Sequence, residues 1–192
     1  MERIRKIIST NLTGKKVLLL FLLTNIVYAV MLTVTIPKTM TFSNGMKLLD
    51  MMPTGYDSEY INTLFETLGE NGRQVYLTNQ LPVDMIYPFL FGISYCLLIG
   101  FLLKKLNKLD SFFFYLCFLP LIAGIADYLE NFGIIYMLNS YPNLSQISID
   151  ATNAFSIVKS MATTIYFIAL IIILLLFGIK IAKGRKTSAN KA

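Results

Sequence analysis

Between Lys16 and Lys38 the chain carries no charged residue at all. Two further stretches, 85–103 and 160–179, are equally free of charge, and a fourth, 111–138, is broken only by Asp127 and Glu130. A helix that crosses the roughly 30 Å hydrocarbon core of a bilayer needs about 20 predominantly apolar residues. Lipid offers no hydrogen bonds to a backbone, so such runs must be helical to satisfy their own N–H and C=O groups. The sequence therefore predicts an all-α membrane protein, a four-transmembrane-helix bundle. Its spans run over about 17–36, 84–103, 111–138 and 156–180, in a single membrane domain covering 1–192.

Composition agrees. The chain is 55% hydrophobic and 15% charged, whereas soluble domains run at about 45–50% apolar and about 25% charged. It has no His and no Trp, and only two Cys, Cys96 and Cys117. That excludes His-based metal sites, Ser-His-Asp triads and Cys-His pairs. It also excludes a disulfide scaffold. No motif calls for a cofactor or a metal. The two cysteines have neither the CxxC spacing nor the polar neighbours of a reactive thiolate, and are expected to pack as small apolar residues.

Basic residues set the expected orientation. Arg3, Arg5, Lys6, Lys15 and Lys16 precede the first span; Lys104, Lys105 and Lys108 fill the short second loop; Lys180, Lys183, Arg185, Lys186 and Lys191 follow the fourth. With four spans all of these fall on one side, so the positive-inside rule places both termini in the cytoplasm of a multi-pass cell-membrane protein. The first apolar run is too long for a signal peptide's h-region of about 7–15 residues and is read as an uncleaved span. The net charge of +6 belongs to these membrane flanks and implies contact with the lipid bilayer rather than with nucleic acid.

The connection 37–82 is the only sizeable segment outside the spans. Asp57 or Ser58 can cap a helix in which Ile61, Leu64, Phe65 and Leu68 form one apolar stripe, with Gly69 and Gly72 ending it. A second short helix is expected from Arg73 to Leu81, and Pro82 opens the second span. Two readings follow: a helical extracytoplasmic cap over the bundle, or an amphipathic helix lying in the headgroup layer.

Depth can be read from helical rise. Counted from the inner boundaries at Lys104, Asp110 and Lys180, the residues Asp84, Glu130 and Lys159 each lie about 30 Å away, and Asp127 and Tyr87 about 25 Å. Charges from three spans thus reach one level near the outer face. Asp127, Glu130 and Asn131 stand at i, i+3, i+4 and share a helix face, which Gly124 extends inward as a point of close approach for a neighbouring helix. An Asp within the bilayer costs about 2.5–3.5 kcal/mol at mid-depth, and each Leu, Ile or Phe returns about 0.3–0.6. The third span inserts regardless, but Asp127 should face the interior and find a partner among Lys159, Asn131, Tyr87 or a wet cavity.

Three readings of this layer stay open: snorkelling interfacial residues, a structural ion-pair layer of Asp127 and Glu130 with Lys159, and a functional site. As a site it offers two chemistries. Asp84, Tyr87, Asp127, Tyr128, Glu130, Asn131 and Lys159 can bind a zwitterionic or amine-bearing amphiphile, with Phe89 and Phe132 as further aromatic walls. Alternatively, Asp84 and Asp127 can act as a catalytic aspartate pair that activates water.

The plan of four spans with outward carboxylates resembles, in layout, bacterial lipoprotein signal peptidase, a membrane aspartic protease. That family's Asn-x-Gly-x-x-Phe and Gly-Asn-x-x-Asp-Arg motifs are absent, Gly124-Ile125-Ala126-Asp127-Tyr128 standing in the corresponding position, and no residue is carried over. No nucleophile–base spacing appears elsewhere. The expectation is therefore a non-catalytic bundle that binds a lipid-like or small amphipathic ligand, or a membrane protein partner, through the polar layer; the membrane-embedded hydrolase is the alternative.

Overall fold

The computed structural model describes residues 2–189, and the side chains of 2–184. Lys191 of the basic tail lies outside the described residues, as do the side chains of Arg185 and Lys186. The described chain is helical, without strands: α1 (Glu2–Thr10), α2 (Gly14–Val30), α3 (Ile36–Met40), α4 (Ser58–Val75), α5 (Leu81–Asp84), α6 (Tyr87–Lys105), α7 (Leu119–Ser140) and α8 (Gln146–Ala189). Four helical stretches are long and apolar enough to cross a membrane: Gly14–Met40, Ser58–Lys105, Phe112–Ser140 and Gln146–Gly184. Large apolar side chains line their outward faces, among them Leu19, Ile26, Ile125, Ile172 and Leu175. Such a surface fits a multi-pass membrane protein, since water would not tolerate apolar patches of that extent.

The helices pack in a row. α2 lies on α6, α6 on α7, and α7 on α8, with α8 also touching α6. Both α2 and α8 border α6, and side chains from each line one cavity with Tyr87 and Phe91 of α6. Gly124 makes the central contact possible: a Cβ built there would lie 2.7 Å from the Pro88 carbonyl oxygen. At the Lys104 end, Phe91, Tyr95, Cys96, Ile99, Phe114, Cys117 and Tyr166 form the main core cluster. Cys96 and Cys117 are buried there as free thiols.

Several boundaries depart from the sequence reading, each for a backbone reason. The third span is not one α-helix from 111. Phe112–Phe118 is 3₁₀, and α7 begins only at Leu119, with Pro120 in its first turn. Pro120 thus starts the helix, as proline's missing donor allows. The second span is likewise segmented: Pro82 sits in the first turn of α5, and Pro88 in the first turn of α6. Wide π turns at Met31–Thr35 and Tyr76–Gln80 interrupt the first and second spans, a feature frequent at functional sites. α8 starts at Gln146, about three turns before the expected 156. The N-terminal basic flank is itself an amphipathic helix: α1 buries Ile8, and Ile8 and Leu12 close on Gly100.

The helix predicted in the 37–82 connection is present. Asp57 caps it, its carboxylate accepting the Tyr60 N–H at 2.8 Å. Ile61, Leu64 and Phe65 are fully buried, in a second core cluster with Leu48, Leu49, Ile134, Met137, Leu138 and Ile149. Gly69 breaks α4 with φ 61° and ψ −175°, a region essentially reserved for glycine. Gly72 does not end the helix; it lies inside it, pressed on Phe42. A Cβ at Gly69 would meet nothing within 4 Å, so Gly69→Ala isolates the backbone effect. It is expected to lower stability by about 1–2 kcal/mol, read as an earlier midpoint in SDS titration of the protein in mixed micelles.

Candidate functional site

Lys159 is the hub of the polar layer. It projects from α8 onto α7, where its ammonium donates to Asp127 Oδ1 at 3.3 Å and forms an ion pair with Glu130. A third contact, 3.4 Å long, goes to the backbone carbonyl of Asp50. Glu130 and Asn131 are fully buried, and Asp127 is 6% exposed. Their i, i+3, i+4 spacing puts all three on the α7 face that packs against α5 and α8. Asn131 donates to the Asp84 backbone carbonyl at 3.4 Å, tying α7 to the end of α5.

A second layer comes from the 41–57 segment. Its 3₁₀ turn, Leu49–Met51, carries Asp50 to the bundle. Gln80 Nε2 donates to Asp50 Oδ2 at 3.0 Å, and the buried Tyr76 hydroxyl donates to Oδ1. The Thr35 hydroxyl in turn donates to Gln80 Oε1. Both π turns therefore supply side chains to this chain of hydrogen bonds, which latches the segment to the first two spans. Nearby, Ser156 donates to the Met52 carbonyl at 3.2 Å, and Asn153 accepts the Tyr56 N–H at 2.9 Å. Burial pushes the Tyr56 phenol above its ordinary range, and the Glu130 carboxylate adds to the rise. Tyr56 thus adds no charge to the layer.

These groups border a cavity of about 430 Å³, within the size range of small-molecule sites. Its polar end is formed by Asp50, Asp84, Asp127 and Lys159. Its floor is Tyr87 and Phe91 of α6 with Ala123 of α7. The sides are Tyr28 and Leu32 from the first span, and Ser160, Thr163 and Thr164 of α8. Tyr28 stacks on Tyr87 with ring centroids 5.3 Å apart. Tyr28, Leu32 and Thr164 are also exposed on the outside of the bundle. The cavity is therefore open to the surface between the first span and α8.

Of the residues singled out in the sequence, Asp84, Tyr87, Asp127 and Lys159 line this cavity together. Asp84 is 3% exposed, and no hydrogen bond to its carboxyl is found among the described residues. Glu130 and Asn131 stand behind the wall, holding Lys159 and the α5 backbone. Tyr128 points elsewhere: it stacks on Phe132, 6.4 Å between centroids, and Phe132 is 55% exposed. Phe89, 59% exposed, also faces outward. The missed members are Asp50, Tyr28, Thr35, Tyr76 and Gln80. The signal for Asp50 is its place among apolar neighbours, Leu48, Leu49, Met51 and Met52, a poor setting for a solvated carboxylate.

Chemically, the arrangement combines one ammonium shared by two buried carboxylates, a hydrogen-bonded third carboxylate, and a fourth that faces open space. Among the described residues no group of His, Cys, Asp and Glu has the geometry to hold a metal ion. Comparison of the chain with protein families, curated proteins and solved structures finds no match.

Proposed function

We propose that this chain is a cell-membrane protein with both termini in the cytoplasm, which binds a lipid-like or small amphipathic molecule in the cavity between α2 and α8. In this reading the 41–82 segment is an extracytoplasmic cap, and the polar layer beneath it receives the ligand's head. The observation that carries the proposal is the opening between the first span and α8: a polar end built from Asp50 of the 41–57 segment and one side chain each from the second, third and fourth spans continues into apolar and aromatic walls that reach exposed positions. A ligand could enter from the bilayer without crossing the cap. Orientation is supported by the gathering of basic residues at the other end, where Lys180 donates to the Lys105 carbonyl at 2.6 Å and Arg5 pairs with Asp110 at 3.5 Å.

A membrane-embedded hydrolase is the second reading, favoured by one observation: Asp84 and Asp127 line the same cavity. Against it stands Lys159, whose ion pair already satisfies Asp127. Two carboxyls that share a proton, as an aspartic dyad does, have no such competing cation.

The binding reading is tested by native mass spectrometry of the protein released from its own membranes. The wild-type chain should carry a discrete bound mass. Thr163→Phe, which fills the cavity, should lose it, while Leu175→Phe, on the lipid-facing side of α8 at 63% exposure, should keep it. A wild-type chain with no adduct, or an adduct that survives Thr163→Phe, would contradict binding in this cavity.

A further inference from the structure

The cavity's charges do not balance. Asp50, Asp84 and Asp127 border it, Glu130 stands directly behind, and Lys159 is the one cation among these groups. Lys159 is already divided between Asp127 and Glu130. Asp50 has two neutral donors, Tyr76 and Gln80, on its two oxygens. Asp84 has neither a cation nor a donor on its carboxyl, yet it is almost fully buried and faces the open volume. A buried carboxyl without a partner is strongly unfavourable as a bare anion, and a cation that comes to it stabilises the ionised form.

The surroundings select the kind of cation. Metal-binding clusters are absent among the described residues. The cavity that Asp84 lines is also lined by the stacked rings of Tyr28 and Tyr87 and by Phe91. Aromatic faces attract organic ammonium groups. The remaining walls, Leu32 and Ala123 among them, suit an alkyl or aryl tail that projects toward the lipid.

We infer that the site takes an amphipathic amine, its ammonium held by the Asp84 carboxylate against the Tyr28–Tyr87 pair and its apolar tail leaving between α2 and α8. This rests on the amphiphile-binding reading above and specifies its ligand. It also assigns Asp84 a part in selecting the head group, while the Asp127–Glu130–Lys159 cluster holds the helices in register.

Three probes with one tail separate the possibilities: dodecylammonium, dodecanoate and dodecanol. Each is titrated into the protein in a neutral maltoside micelle, and the rise in unfolding temperature gives its apparent affinity. Dodecylammonium should bind at least tenfold more tightly than the other two. Asp84→Asn should remove that preference, bringing dodecylammonium down to the level of dodecanol. Tyr28→Leu, at an exposed position that does not threaten folding, should weaken dodecylammonium several-fold and dodecanol little. Equal binding of dodecanol or dodecanoate, or a preference that survives Asp84→Asn, would overturn the amine assignment and leave an amphiphile site standing. Failure of all three probes to raise the unfolding temperature would overturn the amphiphile-binding reading as well.

Discussion

Lys159→Met is expected to lower the unfolding free energy by about 3–5 kcal/mol, the cost of stranding buried charges when their partner is removed. It is the largest single effect anticipated in the polar layer, because one ammonium serves two carboxylates, Asp127 and Glu130. Asp127→Asn alone should cost less, since Lys159 keeps Glu130. Combining Asp127→Asn with Lys159→Met should fall short of the sum of the two losses. Adding Glu130→Gln to that pair should restore further stability by neutralising the last stranded group. SDS titration of the single, double and triple variants in mixed micelles reads these differences. Strictly additive losses would show that the three side chains do not act as a unit.

Gly124→Val should also be severe, at about 3 kcal/mol, near the upper end for overpacking a tight core. The Cβ position already falls 2.7 Å from the Pro88 carbonyl and 3.8 Å from the Gly92 Cα. Backbone cannot give way as a flexible side chain can, so α6 and α7 must separate. Such a shift moves Tyr87 and Asp84, which precede Pro88 on the same strut, and should weaken ligand binding together with stability. Gly178→Val, where a Cβ meets nothing within 4 Å, is the matched control and should be close to neutral. A Gly124→Val protein as stable as the wild type would mean that the two helices do not approach closely.

Much of this arrangement was legible in the sequence because hydrophobic spans impose a ruler. Three charge-free runs and a fourth broken only by Asp127 and Glu130 marked four helices, and counting rise from their inner boundaries brought Asp84, Glu130 and Lys159 to one level, with Asp127 about one turn deeper. The i, i+3, i+4 spacing of Asp127, Glu130 and Asn131 then told which α7 face is buried. Tyr128 shows the limit of that argument: one residue from Asp127 is about 100° around the helix, enough to turn its ring outward onto Phe132.

The ruler fails where the backbone leaves the regular helix. Pro82 and Pro88 divide the second span, and the two π turns re-aim Thr35, Tyr76 and Gln80. None of these offsets follows from residue counting. The partners of Asp50 were illegible for a different reason. Its position depends on the long-range docking of a loop whose anchors, Tyr76 and Gln80, lie 26 and 30 residues away in the chain. The same distance effect hid the opening of the cavity, since no local pattern states that α2 and α8 flank α6 without closing on each other.

The most direct test of the account is a crystal structure grown from a lipidic mesophase doped with dodecylammonium. It should show an elongated density lying between α2 and α8, with its nitrogen within hydrogen-bond distance of the Asp84 carboxyl and Lys159 still bridging Asp127 and Glu130. A structure in which α2 and α8 close over α6, or in which the probe sits only on the outer helix faces and leaves the cavity vacant, would contradict it.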